Sequence, residues 1–271
     1  MGRMESLAEN INSVRARITA ACLRARRDPS QVALVAVSKT VSAEAVLEAY
    51  RLGLCNFGEN RVEEAEEKIS NLKHLHLQQA PVQVQVSQTP ALRAGASVSN
   101  LQPLTPDIRW HLVGHLQSRK AREAADLFDV IHSVDSVKLA DKLSRLCVEA
   151  GRVMPVLFEC NVSGEASKYG FPLSTAAKRE RWRADVEAIL KLSGVRVEGL
   201  MTVAPMLADP NATRPFFCAL RQLRDDLAAR FPQTGWRHLS MGMTDDFEVA
   251  IEEGATMVRI GRAIFGERRQ E

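Results

Sequence analysis

The sequence predicts an α/β protein folded as a (β/α)8 TIM barrel, in a single domain with an N-terminal helix and an inserted loop near 72–107. Three observations carry this expectation. Eight short apolar runs alternate with longer amphipathic ones, the pattern of parallel strands joined by helical crossovers. Eight is also the number that closes a barrel. No Gly-x-Gly-x-x-Gly follows the first run, which speaks against a dinucleotide fold. An open doubly wound sheet remains the competing architecture, because periodicity does not distinguish it from a closed one.

The N-terminal segment is charged throughout but repeats Leu7, Ile11, Val14, Ile18 and Cys22 at spacings of three and four, an amphipathic helix. Strands are expected at 31–37, 54–57, 109–113, 129–133, 154–161, 196–200, 237–239 and 257–260, the second and seventh being short. Helices are expected at 43–52, 60–70, 118–126, 136–150, 173–193, 213–230 and 244–253. Ser42, Asp135 and Thr244 are placed to start helices. Gly53, Gly151, Gly194 and Gly254 are placed to stop them. The stretch 72–107 interrupts the alternation. It is rich in Gln, Pro, Ser and Ala and nearly uncharged, as expected of a flexible surface insertion, with "VQVQVSQ" as a hairpin strand in the alternative.

Composition excludes several classes of function. There are 36 Lys and Arg against 33 Asp and Glu, and a net charge of +3 is too small for a nucleic-acid surface. No run reaches the ~20 apolar residues that cross a membrane, and the N-terminus lacks an apolar signal core. Cys22, Cys55, Cys147, Cys160 and Cys218 are scattered and odd in number. Free thiols in a reducing cytoplasm are the expectation.

The candidate site gathers at strand ends. "QVALVAVSKT" closes an apolar strand with Lys39, which has no acidic residue within four positions. An amine in an apolar rim is nucleophilic when neutral; alternatively, the side chain snorkels to solvent. After the last two strands, "SMGMT" and "RIGRA" supply Gly242 and Gly261, whose backbone can approach an anion, with Ser240 and Thr244 as hydroxyl donors and Arg259 and Arg262 as cations. Two ordinary glycine turns are the plainer alternative. An amine facing a phosphate cradle across one barrel mouth suggests pyridoxal 5′-phosphate held as a Schiff base. Asn60, after the second strand, either bonds a cofactor hydroxyl or caps the next helix. His111 and His115 are four apart but straddle a strand end and Gly114, so no metal site is expected. His74 and His76 are read as solvated. The loop Ser163, Gly164, Ser167, Lys168 and Gly170 is expected to line the pocket or act as a small lid.

The segments "VAVSKT", "FGEN", "WHLVGHLQS", "HSVDS", "NVSGEASKYGF", "GLMT", "LSMGMTDDFEVAIEEGATMVRIG" and "AIFGER" together resemble the pyridoxal phosphate homeostasis proteins, which are similar in fold to the N-terminal barrel of alanine racemase. The likeness runs from about Leu7 to Arg268, apart from the insertion. It implies that Lys39 carries pyridoxal 5′-phosphate as a Schiff base. It also implies that Ser240, Gly242 and Gly261 hold the phosphate with the help of Arg262, that Arg259 approaches the pyridine nitrogen, and that Asn60 lies beside the ring. An arginine at that nitrogen leaves it unprotonated, so the ring is a poor electron sink.

Two positions depart from the pattern: Arg262 stands where many relatives carry Thr or Ser, and Arg61 where a tyrosine is frequent. The chain ends at Glu271, soon after the eighth strand, without the β domain from which alanine racemase draws a partner subunit's second base. That absence argues against an efficient racemase, and the resemblance implies a monomeric cofactor carrier without turnover, handing its cofactor to apo-enzymes. The alternatives are a weak racemase-like enzyme on small amino acids, with Lys168 or Tyr169 as acid or base, and a barrel that binds another phosphorylated metabolite without covalent capture.

Overall fold

The computed structural model describes residues 6–78 and 108–267. Its strands are β1 (Ala33–Val37), β2 (Asn56–Glu59), β3 (Arg109–Leu112), β4 (Val130–Val134), β5 (Met154–Asn161), β6 (Phe171–Pro172), β7 (Val195–Met201), β8 (His238–Ser240) and β9 (Met257–Ile260). They run parallel in the order β4-β3-β2-β1-β9-β8-β7-β5, and β4 pairs back onto β5, so the sheet closes. This settles the choice between barrel and open sheet. The two-residue β6 is an appendage on β5, short enough to leave no periodic signal in the sequence.

Around the barrel lie α1 (Leu7–Arg24), α2 (Ala43–Arg51), α3 (Val62–Gln78), α4 (Ala121–Leu127), α5 (Val137–Glu149), α6 (Ala176–Leu190), α7 (Arg214–Arg230), α8 (Phe247–Glu252) and α9 (Arg262–Phe265). Strand alternation divides the apolar residues between two cores. Ala36 and Phe57 face outward into the large core between sheet and helices. Val35, Leu157, Met201 and Met257 face inward and fill the barrel interior. Helix α1 buries Ile11, Val14, Ile18 and Cys22, the expected stripe, and Ser6 caps it in a reciprocal box with Glu9.

Several local expectations are corrected. β2 begins at Asn56, because Leu54 N–H is spent on the Ala49 carbonyl at the end of α2. Gly58 and Glu59, past the expected strand end at 57, are therefore strand residues. Helix α5 is capped by Ser136, whose hydroxyl accepts from Leu139 N–H, rather than by Asp135. Thr244 lies in the turn before α8, and Asp246 occupies the cap position. Gly53, Gly151 and Gly254 do follow helices with positive φ. Gly194 answers a different need: a Cβ there would sit 2.0 Å from the Ser144 carbonyl oxygen. The insertion expected from Leu72 starts later, since α3 continues through Gln78. His74 is exposed and bonds to the Ser70 carbonyl within that helix. The remainder, with "VQVQVSQ", lies outside the described residues. Among the described residues no helix is long and apolar enough to cross a membrane.

Candidate functional site

Parallel strands bring their C-terminal ends to one rim, and Lys39 lies there, partly buried, just past β1. It belongs to a turn closed by Val41 N–H on the Ser38 carbonyl (3.0 Å). Thr40 takes a left-handed φ of 63° in that turn, a conformation that a β-branched residue reaches only under constraint. The constraint comes from β2 and α3. Ser38 Oγ donates to Glu59 Oε1 (2.7 Å), and Lys68 Nζ donates to the same oxygen (2.6 Å) and to the Ser38 carbonyl (2.5 Å). Glu64 accepts from Thr40 N–H and from Lys68. Lys68 and Glu59 are both buried. Burial pushes the Glu59 carboxyl up, against the pull of Lys68.

The two glycine turns share that rim. A Cβ on Gly261 would come within 2.9 Å of the Val37 carbonyl oxygen, so the turn after β9 presses on the end of β1. Gly242 has φ 90°, and a Cβ there would collide with Ala250 Cβ at 2.5 Å and Phe247 Cα at 2.9 Å. Only glycine lets this turn lie against the start of α8. The Gly242 carbonyl accepts from Arg259 N–H, which couples the turn to β9. Arg262, exposed at the start of α9, pairs with Asp245 (2.5 Å). Asn60 stands two residues before the start of α3, whose first turn bonds to the Arg61 carbonyl; the helix-cap alternative for Asn60 therefore falls. Gly114 lies against its backbone, where a Cβ would be 2.3 Å from the Asn60 oxygen. Asn60 also borders a cavity of about 510 Å³ shared with Arg61, His115, Arg119 and Tyr169, whereas Lys39, Gly242 and Gly261 are not in its wall.

Arg259 points into the barrel and is buried. It donates to Ser240 Oγ (2.7 Å) and to the Thr202 carbonyl (2.8 Å). Ser240 meets His132 Nδ1 (2.9 Å), His132 Nε2 meets His111 Nδ1 (2.9 Å), and His111 Nε2 meets Asn56 Oδ1 (3.1 Å). Arginine only donates, and Asn56 presents an acceptor. One direction then satisfies every atom: Arg259 to Ser240 to His132 to His111 to Asn56. Both imidazoles are neutral in this arrangement. Burial holds His111 down to about 3 and His132 well below its ordinary value. Burial also lowers Arg259, to about 10, and leaves it cationic near neutral pH.

The loop after β5 is drawn over the same rim. Lys168 bonds to the Val203 carbonyl (3.1 Å) and pairs with Glu165. Tyr169 stacks on His115 with centroids 3.7 Å apart. His111 faces the interior and His115 the rim, and no metal-binding cluster of three or more His, Cys, Asp or Glu exists among the described residues.

Four polar residues of this region escaped the sequence reading: Glu59, Lys68, His132 and Glu159. Glu159 on β5 has a buried oxygen, Oε2, without a hydrogen-bond partner. Burial, then the charge of Asp135, pushes it up to about 7, with Arg259 opposing. The available signal was a polar residue inside an apolar strand, as in "DVIHSV" and "VLFEC", since such groups must find partners.

The family model for the alanine racemase N-terminal domain matches residues 4–269. The chain is similar to the pyridoxal phosphate homeostasis protein of Aquifex aeolicus, 38% identical over 96% of this chain and 98% of the relative. It is similar also to the protein of the same name in Pseudomonas aeruginosa, 40% identical over 98% and 97%. Among solved structures, PipY of Synechococcus elongatus with PLP bound aligns with a TM-score of 0.73 at 34% identity, over 96% of this chain and all of that one.

Proposed function

Because the chain belongs to the alanine racemase N-terminal domain family, and within it to the pyridoxal phosphate homeostasis proteins, we propose that it binds pyridoxal 5′-phosphate and buffers it for apo-enzymes, acting as a carrier without turnover. The observation that carries this reading is the shared rim: the Lys39 turn follows β1, and the Gly261 turn presses on that strand's last residue. The residues fit the group. Lys39 would hold the aldehyde as a Schiff base. The backbone at Gly242 and Gly261 would receive the phosphate, since neither turn has room for a Cβ between backbone and neighbour. Ser240 Oγ is already engaged by Arg259 and His132, so its part in phosphate binding would fall to its backbone. Arg262 would reach an anion only by leaving Asp245.

The group supplies an aldehyde and an aromatic ring able to delocalise charge. The chain's own residues restrain that ability. Arg259 keeps its proton, so a ring nitrogen facing it would stay unprotonated. Its hydrogen-bond partners are neutral, so no proton is on offer from behind. Asn60, beside the rim and free of the helix cap, would bond the ring's edge. We read the carrier as monomeric and cytoplasmic, in line with its scattered free thiols.

A visible spectrum before and after addition of pyridoxal 5′-phosphate tests the proposal. A new band that borohydride bleaches, with reduced cofactor mapped to Lys39, is the expected result. A band that persists in Lys39→Ala would overturn it.

Glu159 favours one second reading, a residual racemase-like proton exchange on small amino acids. It titrates near neutrality inside the barrel, within the electrostatic reach of Arg259. Incubation with L-alanine in deuterated water separates the two, since rapid α-deuteration would sink the carrier.

A further inference from the structure

We propose that Lys68 is a positioning residue for Lys39: its buried ammonium bolts the turn after β1 to β2 and α3, and so sets where the Lys39 amine is presented. The inference rests on the reading of Lys39 as the covalent anchor. Lys68 lies twenty-nine residues from Lys39 in sequence, on the second turn of α3 rather than at a strand end, yet it touches Ser38 on one flank of the Lys39 turn and reaches Thr40 on the other through Glu64. Its Nζ donates to the Ser38 carbonyl (2.5 Å), Glu59 Oε1 (2.6 Å) and Glu64 Oε1 (3.2 Å). An ammonium has three hydrogens, and all three are engaged.

Each acceptor also holds the turn from another side. The Ser38 carbonyl closes the turn onto Val41 N–H. Glu59 takes the Ser38 hydroxyl. Glu64 takes Thr40 N–H. The residue before Lys39 and the residue after it are thus tied to the same buried cation. That tie explains how Thr40 is kept at a φ of 63°. Without the cation, two carboxylates would face each other and the Ser38 carbonyl across an apolar pocket, and the turn would relax outward.

The arrangement divides labour between two lysines. Lys68 is buried and its Nζ is engaged by three acceptors, so it is not presented to a ligand. Lys39, at the mouth, is the one presented to a ligand. Displacement of a nucleophile by even a small distance slows its reaction steeply, so the loss of Lys68 is read in the attachment step rather than in binding of the phosphate.

The experiment uses the full chain and the variants Lys68→Met and Glu64→Gln. Circular dichroism and thermal melts establish folding. Stopped-flow absorbance follows attachment of pyridoxal 5′-phosphate, and borohydride reduction with peptide mapping identifies the amine. Affinity for pyridoxine 5′-phosphate, which lacks the aldehyde, is measured in parallel. The expected result is a folded Lys68→Met that still attaches at Lys39 but about tenfold or more slowly, with pyridoxine 5′-phosphate affinity unchanged. Glu64→Gln is expected to slow attachment by a smaller factor.

Attachment at the wild-type rate in a folded Lys68→Met overturns the proposal, as does a parallel loss of pyridoxine 5′-phosphate binding, which would mark a general structural role. Should Lys68→Met fail to fold, Glu64→Gln decides, and a wild-type attachment rate there overturns it. A wild-type protein that attaches nothing at Lys39 overturns the carrier reading and this inference with it.

Discussion

On the β1–β2 side of the barrel mouth, a buried ammonium meets a buried carboxylate; on the β8–β9 side, a buried guanidinium is hydrogen-bonded to neutral groups. The first side pairs its cation: Lys68 lies between Glu59 and Glu64, and the product of the arrangement is a fixed backbone turn. The second side leaves the charge of Arg259 without an ion pair among the described residues, its hydrogens going to Ser240 and Thr202. Its product is an electrostatic potential at the mouth. One network supplies shape and the other supplies charge, and the difference follows from what the histidine chain lacks, a carboxylate at its far end.

The contrast can be broken most severely on the ionic side. Glu59→Ala takes from the buried Lys68 its shorter carboxylate contact and leaves Glu64 at 3.2 Å, and a loss of ~3–5 kcal/mol is expected in urea unfolding. On the neutral side, His132→Ala removes the acceptor of the Ser240 hydroxyl and the donor to His111 Nδ1 and opens a cavity, for ~2–3 kcal/mol in the same assay. The ordering of these two losses is the sharper test. A larger loss at His132 would mean that the neutral chain, not the ion pair, holds the mouth together.

Acid tests the neutral chain directly. His111 stays neutral in the folded protein down to about 3, whereas its ordinary value is 6.5. The unfolded chain takes up a proton below 6.5 that the folded chain refuses. The contribution of His111 is therefore complete above 6.5 and is lost as pH falls toward 3, by about 1.4 kcal/mol per pH unit; His132, shifted in the same direction, steepens the slope. Asn56→Asp places a carboxylate against His111, pulls its pKa back up, and should flatten that acid limb in pH-dependent denaturation curves.

The smallest effect belongs to the surface. Arg262→Ala removes an exposed ion pair with Asp245 and should change stability by less than ~1 kcal/mol. Its measurable consequence, if Arg262 turns to a bound phosphate, is weaker retention of pyridoxal 5′-phosphate in equilibrium dialysis.

The elements were largely legible because each barrel strand is a continuous apolar run, and such runs stand out against amphipathic helices. β2 was misplaced by two residues because its boundary depends on Leu54 N–H closing the end of α2, a contact that apolarity does not encode. The rim residues Lys39, Gly242 and Gly261 were readable from local turn chemistry, since a strand end and a small-residue turn announce themselves within a few positions. The supporting residues were not. Lys68 acts on Ser38 from thirty residues away and His132 on Ser240 from 108. Each is an ordinary polar residue until the barrel closes and shows what lies opposite. The absence of acidic neighbours around Lys39 in sequence was itself misleading, because Glu59 and Glu64 arrive from the next strand and helix.

The pairing of β1 with β9 bears on synthesis at the ribosome. A growing chain exposes the Lys39 turn early, while the Gly261 turn that leans on it is made more than two hundred residues later. Until β9 slots between β1 and β8, the sheet has a raw edge and the rim has a gap. On the proposed reading, capture of a small anionic aldehyde would be reserved for chains in which β9 has joined the sheet, since before that the mouth is incomplete.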